Sequence, residues 1–344
     1  MKVEKLDALF QPLTIFVVSI SFIIAFGYGA VLVNAGVMTV GEVVTFNIYL
    51  NMLIWPMFAM GMLFNIMQRG NASLNRIEDV LQAEDDVIDA GDGVTESSEI
   101  DFEKVSFSYP SSSRKNLNEI SIRLKAGETL GIVGKTGSGK TTLIRQLLKM
   151  YPAGSGNLII DGINITQLSK KELRHKIGYV SQENILFSRT VRENILFGNP
   201  AATDEELRQA IEVSALDSDV ALMPKGLETM VGEKGIALSG GQKQRISIAR
   251  SLIKNPDILI FDDTLSAVDA KTEQRIINNI KRERNEKTTV IVTHRLSAVR
   301  HAEVIVVLED GKIVETGSHD ELIQNDGWYK RQNQYYRTGG DENE

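Results

Sequence analysis

Two long apolar runs open the chain, Leu13–Val33 and Val43–Met67, and no charge interrupts either. Each reaches the roughly 20 residues that a helix needs to cross the ~30 Å core of a bilayer. Between Ala8 and Met67 the only charged residue is Glu42. The pattern predicts a hairpin of two membrane-spanning helices, with the short link Asn34–Glu42 carrying Gly36 and Gly41. Lys2 and Lys5 precede the first span, and Arg69 and Arg76 follow the second. That bias predicts both ends of the hairpin in the cytoplasm and the link outside. A cleaved leader is the rival reading, since Val33-Asn34-Ala35 resembles a cleavage site. The run is too long for one, and a second span follows.

Within the second span Asn47, Asn51 and Asn65 share a face at about 100° per residue, with Ile54, Phe58 and Met62 near it. The face reads as interhelical hydrogen bonding, with the lining of a substrate path as the alternative. Met52, Met57, Met60, Met62 and Met67 fill gaps between helices or offer an adaptable drug surface. Ser21, Ala25 and Gly29 recur every fourth residue and suit close helix packing. A helical linker is expected from Gln68 to about Ala83. The polar stretch from Glu84-Asp85-Asp86 through Gly91-Asp92-Gly93 to Ser97-Ser98 then reads as a boundary. The expected organisation is a partial transmembrane domain over 8–83 and a second domain over 98–337.

Past the boundary the pattern changes to short apolar strands and amphipathic helices. Thr129–Val133 is a strand that runs straight into Gly134-Lys135-Thr136-Gly137-Ser138-Gly139-Lys140-Thr141, and a helical pattern follows over Thr142–Met150. Strand, glycine loop and helix are the context a P-loop requires. Backbone N–H groups of such a loop converge on phosphate oxygens, and the helix N-terminus adds partial positive charge. Lys140 suits the β- and γ-phosphates, and the Thr141 hydroxyl suits Mg²⁺. A second apolar strand, Ile258–Phe261, ends in Asp262-Asp263. An aspartate at that tip suits the magnesium ion, and a carboxylate one residue on suits the attacking water. Between these motifs Leu238-Ser239-Gly240-Gly241-Gln242 opens a helical pattern over Lys243–Ile253, again with small residues at a helix start. Glu309-Asp310-Gly311-Lys312 reads as a hairpin turn, and Arg282–Lys287 as a solvated loop.

Composition narrows the field further. There are 344 residues, 38 Lys and Arg against 45 Asp and Glu, and a net charge of −7. The length suggests about two domains. With no cysteine, a disulfide scaffold and a cysteine zinc site are excluded. The tail Asp341–Glu344 is acidic, no basic stripe is present, and nucleic acid is not expected as a partner.

Taken together, these motifs are similar to those of ABC transporters, specifically bacterial multidrug exporter half-transporters. The resemblance runs from the spans to Tyr336, with the motifs in family order. It implies an α/β P-loop NTPase fold, an ABC-type nucleotide-binding domain with a helical subdomain, behind a two-helix transmembrane hairpin. It implies ATP and Mg²⁺ as cofactors. Residue by residue, Tyr109 matches the aromatic that stacks on adenine. Gly134, Lys135, Thr136, Gly137, Ser138, Gly139, Lys140, Thr141 and Thr142 match the phosphate cradle. Gln182, in Val180-Ser181-Gln182-Glu183, matches the glutamine linking magnesium to the membrane domain. Ser239, Gly240, Gly241 and Gln242 match the signature that closes on ATP held by the opposite subunit. Ser266-Ala267-Val268-Asp269 match the loop joining the two sites. His294, after the apolar stretch Val290–Thr293, matches the histidine that contacts the γ-phosphate. Thr141, Gln182 and Asp262 are the implied metal set, and Asp263, His294 and Gln182 the implied catalytic set. The location implied is the cell membrane with the nucleotide domain cytoplasmic, and the contacts implied are membrane lipid and hydrophobic small-molecule cargo.

Two departures from the family pattern stand out. Asp263 occupies a position where the family usually has glutamate. Aspartate is one methylene shorter, and a misplacement of about 1 Å can lower a rate on the order of 100-fold. Slow hydrolysis at this chain's own site is therefore expected, with a heterodimeric partner half-transporter supplying the glutamate. A purely regulatory nucleotide-binding half, a homodimer in which aspartate suffices, and a lipid or peptide exporter are the alternatives. The second departure is the number of spans: family members carry six per subunit, and the two here match the last pair. The sequence reads as the C-terminal portion of such a subunit.

Overall fold

The structure, a computed structural model, describes residues 2–83, 85–87, 89, 97–110, 112, 114–232 and 237–337. Gly91-Asp92-Gly93 and the acidic tail 341–344 lie outside the described residues. The chain divides into two compact units, Met1–Glu84 and Asp85–Glu344.

The first unit is a helical hairpin of α1 (Lys2–Asn34) and α2 (Val40–Leu81). The turn between them is built from local chemistry. Gly36 takes a left-handed φ of 71°, Gly36 N–H donates to Val33 O, and Val37 N–H donates to Leu32 O, which satisfies the last carbonyls of α1. Thr39 then caps α2: Glu42 N–H donates to Thr39 Oγ1 and Thr39 N–H donates to Glu42 Oε2. The lone charge of the apolar front is thus a capping residue at the link. The stripe of small residues works as close packing requires, for a Cβ on Gly29 would stand 2.7 Å from Val43 Cγ1. Of the asparagine face, Asn47 departs from expectation. Asn47 is buried, but its amide donates to Val43 O of its own helix at 2.8 Å rather than across the hairpin. The stretches Pro12–Asn34 and Val40–Leu81 have mean hydropathies of 2.4 and 1.5, and their large apolar side chains are mostly exposed, as at Phe16 and Trp55.

The second unit has two sheets. The antiparallel one has the order β2-β1-β4-β5. Its strands are β1 (Ile100–Phe107), β2 (Leu117–Leu124), β4 (Ser155–Ile160) and β5 (Ile163–Asn164). The other has the order β10-β9-β3-β8-β7-β6. It comprises β3 (Thr129–Val133), β6 (Ile177–Val180), β7 (Ile258–Asp262), β8 (Thr288–Val292), β9 (Val304–Glu309) and β10 (Lys312–Gly317). All its pairings are parallel except β9 with β10. Its central strands β7 and β8 are buried along their whole length and accordingly carry the apolar stretches Ile258–Phe261 and Val290–Val292.

One face packs against α3 (Lys140–Leu147) and the antiparallel sheet, burying Leu143, Ile132, Ile260 and Leu117 together. The other packs against α9 (Ala270–Glu283) through Ile276, Ile277 and Ile280. A helical subdomain has its own core, in which α5 (Val191–Leu196), α6 (Asp204–Val213) and α8 (Gly240–Leu252) bury Ile195, Leu207 and Ile246. Smaller helices complete the unit: α4 (Lys170–Lys176), α7 (Asp217–Leu222), α10 (His319–Leu322) and α11 (Trp328–Arg337). The α/β class with a helical subdomain, implied by the family resemblance, is the fold observed.

The run Arg282–Lys287 is not the solvated loop its charges suggest. Arg282 and Glu283 belong to α9, and Arg284 is 7% exposed. Its guanidinium donates to Pro256 O at 2.8 Å, and burial pushes its pKa down to about 10. Carbonyls at the bottom of the sheet replace water as its partners, which charge patterning along a sequence does not reveal.

Candidate nucleotide-binding site

The parallel register brings the chemistry to one edge. Ile132 pairs with Val292, Asp262 with Val292, and Val180 with Phe261. The chain beyond β3, β8, β7 and β6 therefore leaves the sheet side by side, carrying Gly134, His294, Asp263 and Gln182. Ligand sites of open α/β sheets form at such carboxyl ends.

The glycine loop needs its glycines for two different reasons. Gly134 has φ 145°, and a Cβ there would meet Leu308 O at 2.1 Å. Gly137 has φ 80° with no atom within 4 Å, so conformation and not crowding demands glycine there. The loop is braced by the β9–β10 turn, since Gly311 N–H donates to Ser138 O and Asn118 N–H donates to Gly311 O. Asp310 and Gly311 have φ of 49° and 76°, the pair of positive values a two-residue hairpin turn favours. Lys135, Thr136 and Gly137 are exposed, whereas Ser138 is buried. Gly139 precedes α3 with φ 108°, and α3 begins at Lys140, two residues before the sequence pattern placed it.

Lys140 folds back on the loop, donating to Gly134 O at 2.7 Å and Lys135 O at 2.9 Å. Burial pushes its pKa down, and Asp263 and then Asp262 oppose that. Thr141 Oγ1 donates to Asp262 Oδ1 at 3.2 Å, so the hydroxyl and the carboxylate named for the metal already meet. Tyr109 lies beside the same helix, its hydroxyl donating to Thr142 Oγ1 at 3.1 Å and accepting from Arg145 Nη1 at 3.2 Å. Its ring packs edge-on against Phe107 and Tyr151, with centroids 5.1 Å and 4.9 Å away.

Asp263 sits in the left-handed region with φ 51°, its N–H donating to Val292 O at 2.8 Å. Its Oδ2 is 3.6 Å from His294 Nε2, and its Oδ1 is buried without a hydrogen-bond partner among the described residues. Burial raises its pKa, against the lowering effects of His294 and Lys140. Gln182 is exposed just beyond β6. Ser239–Gln242 stand apart from this cluster: Ser239 caps α8 in a box with Gln242, and Gln242 and Arg245 both hold Asp219, at 3.2 and 2.7 Å. Among the described residues none of the four hydrogen-bonds the glycine loop.

Sequence reasoning missed three contributors. Tyr179, on β6, donates its hydroxyl to Asp262 Oδ2 at 3.0 Å. Arg295 ties the segment after His294 to the Ser266–Asp269 loop by donating to Val268 O at 3.0 Å, and pairs with buried Glu273 of α9 at 3.3 Å. Ser297 also donates to Glu273, at 2.7 Å. The only local signal was position, Tyr179 three residues before Gln182 and Arg295 directly after His294.

The residues present fit a magnesium nucleotide. Among the described residues Ser138 Oγ and Asp263 Oδ1 are buried polar atoms without partners, which a bound polar ligand would satisfy. Thr141 and Asp262 offer the hard oxygen donors that Mg²⁺ takes while keeping several waters. Fold and site together define a P-loop nucleotide-binding domain.

Residues 117–266 match the ABC transporter family and residues 1–57 match the ABC transporter transmembrane region. The chain is 56% identical over 334 residues to the probable multidrug resistance ABC transporter ATP-binding/permease protein YheI of Bacillus subtilis, covering 96% of this chain and 57% of that protein. It is 39% identical over 336 residues to the multidrug resistance-like ATP-binding protein MdlA of Escherichia coli, covering 97% of this chain and 57% of that one. A solved structure of a bacterial Atm1-family ABC exporter with ATP bound superposes with a TM-score of 0.73 at 34% identity, over 89% of this chain and 54% of the other. The chain belongs to the ABC transporters, as a membrane protein whose nucleotide-binding domain is cytoplasmic. It spans a little over half the length of these relatives.

Proposed function

We propose that this chain is the ATP-binding, ATP-hydrolysing part of an exporter subunit, and that it works as the slow-site half of a heterodimer. The observation that carries the reading is the alignment of Lys140, Thr141, Asp262, Asp263 and His294 at one sheet edge. Gly134–Thr142 hold the phosphates, with Lys140 exchanging its loop carbonyls for β- and γ-phosphate oxygens. Tyr109 supports the adenine. Thr141, Asp262 and Gln182 would hold Mg²⁺, which supplies neutralisation of charge on the transferring phosphate. Water attacks the γ-phosphorus, the bond to the β-phosphate oxygen breaks, and ADP and phosphate leave. Asp263 orients that water and His294 donates toward the γ-phosphate.

The Ser239–Gln242 signature, remote from this chain's own loop, closes on ATP held by a partner half-transporter that carries glutamate in place of Asp263. Two ATP molecules are clamped between the paired domains, and hydrolysis releases the clamp. Hydrophobic small molecules are the proposed cargo, in keeping with the multidrug resistance names of the relatives.

Slow turnover follows from the short reach of Asp263 and from the burial that favours its neutral form. In the assembled pair, with the partner's own site inactivated, Asp263→Glu should raise ATPase activity by on the order of 100-fold. Unchanged hydrolysis would sink the slow-site reading.

A further inference from the structure

Asp262 is 2% exposed, and a carboxylate that deep needs a donor for each oxygen. Thr141 serves Oδ1, and the phenol of Tyr179 serves Oδ2 from the neighbouring strand. Tyr179 pairs with Ile260 in the parallel register, so its side chain lies one same-face step from Asp262. Its main chain is anchored as well: Ser251 Oγ of α8, the signature helix, donates to Tyr179 O at 3.1 Å. One residue thus touches the metal-site carboxylate and the signature helix, and lies on the strand that leads to Gln182.

We propose that Tyr179 is a positioning residue for the divalent cation, its hydroxyl pinning the Asp262 carboxylate in the orientation that keeps Oδ1 against Thr141. The proposal rests on the nucleotide-site reading above. A phenol carries its proton at neutral pH, so the Tyr179 hydroxyl can only donate to the carboxylate oxygen 3.0 Å away. Thr141 is a one-carbon-stem hydroxyl that also has to meet the metal, and it cannot hold both oxygens of Asp262. Without the phenol, Oδ2 is left buried and unpaired, and the carboxylate is free to turn away from the Thr141 hydroxyl. Partners that orient a metal's ligands typically change metal affinity by roughly 10- to 100-fold when removed.

The test is Tyr179→Phe in the full chain in detergent, which keeps the ring and removes the hydroxyl. Binding of a fluorescent ATP analogue is followed by anisotropy, first in EDTA and then across a Mg²⁺ titration, with bound Mn²⁺ read in parallel by electron paramagnetic resonance. Affinity in EDTA should stay within about twofold of wild type, while the Mg²⁺ and Mn²⁺ midpoints rise by roughly 10- to 100-fold. A purely structural tyrosine would leave both midpoints where they are, or would lower affinity equally with and without metal, and either result overturns the proposal. A wild type that binds no nucleotide would overturn the nucleotide-site reading itself, and this inference with it.

Discussion

The hairpin and the nucleotide-binding unit use the same apolar residues in opposite ways. In the second unit Phe261, Leu117 and Ile132 are fully buried. In the hairpin Phe64 is 66% exposed and Trp55 73%. The difference teaches what each region is built to be dissolved in. The second unit closes its own core against water, with two sheets and a layer of helices. Two helices can shield only the strip where they touch, and the remainder of α1 and α2 needs lipid or other membrane helices for company.

Equal truncations in the two regions should therefore have unequal effects. Phe261→Ala should destabilise the nucleotide-binding unit by about 3–5 kcal/mol, read by denaturant unfolding of the detergent-solubilised chain. Phe64→Ala should change that unfolding by less than about 0.5 kcal/mol, the range of surface substitutions. A comparable loss from both would break the comparison.

Buried polar groups extend it. Glu273 is 2% exposed and satisfied by Arg295 and Ser297, whereas Asn47 Oδ1 in the hairpin is buried without a partner among the described residues. Glu273→Gln removes the buried carboxylate that accepts from both Arg295 and Ser297 and should lower stability by about 3 kcal/mol, judged by thermal unfolding. Asn47→Leu removes a group that, among the described residues, bonds its own helix alone, and should alter helix association by less than about 1 kcal/mol.

The smallest contrast is between two glycines at matching approach. A Cβ on Gly131 would stand 2.7 Å from Val299 Cβ, and one on Gly29 the same distance from Val43 Cγ1. β3 is gripped on both sides by parallel neighbours and cannot retreat, so Gly131→Ala should destabilise by about 1–3 kcal/mol. The two helices can separate slightly, and Gly29→Ala should cost nearer 1 kcal/mol. Spin labels on cysteines introduced at Ile24 and Leu50, in a chain that has no other cysteine, would register the widened spacing.

What was legible beforehand shares one property: it is local along the chain. The two apolar helices, the strand at Thr129–Val133, the glycine loop and the turn at Asp310-Gly311 are each specified by a few neighbouring residues. What was not legible lies between distant segments. Arg284 looks solvated within its charged run because its carbonyl partners, Pro256 O and Asp257 O, belong to the approach to another strand. Tyr179 looks like an ordinary strand residue because Asp262 is 83 positions away. The turn at Gly311 reads as a plain hairpin, and only the fold shows that it braces the glycine loop at Ser138.

By itself the sequence determined that the chain joins an apolar front to a phosphate-binding unit, because hydrophobic runs and loop glycines act through nearest neighbours. It also determined which residue types were available for phosphate and metal. The tertiary structure decided which of them meet. Parallel strand register set Gly134, Asp263 and His294 at one edge, placed the signature helix elsewhere, and gave Asp262 a second donor from β6. Register is a property of pairs of strands, held by backbone hydrogen bonds and two-sided packing, and no single segment encodes it.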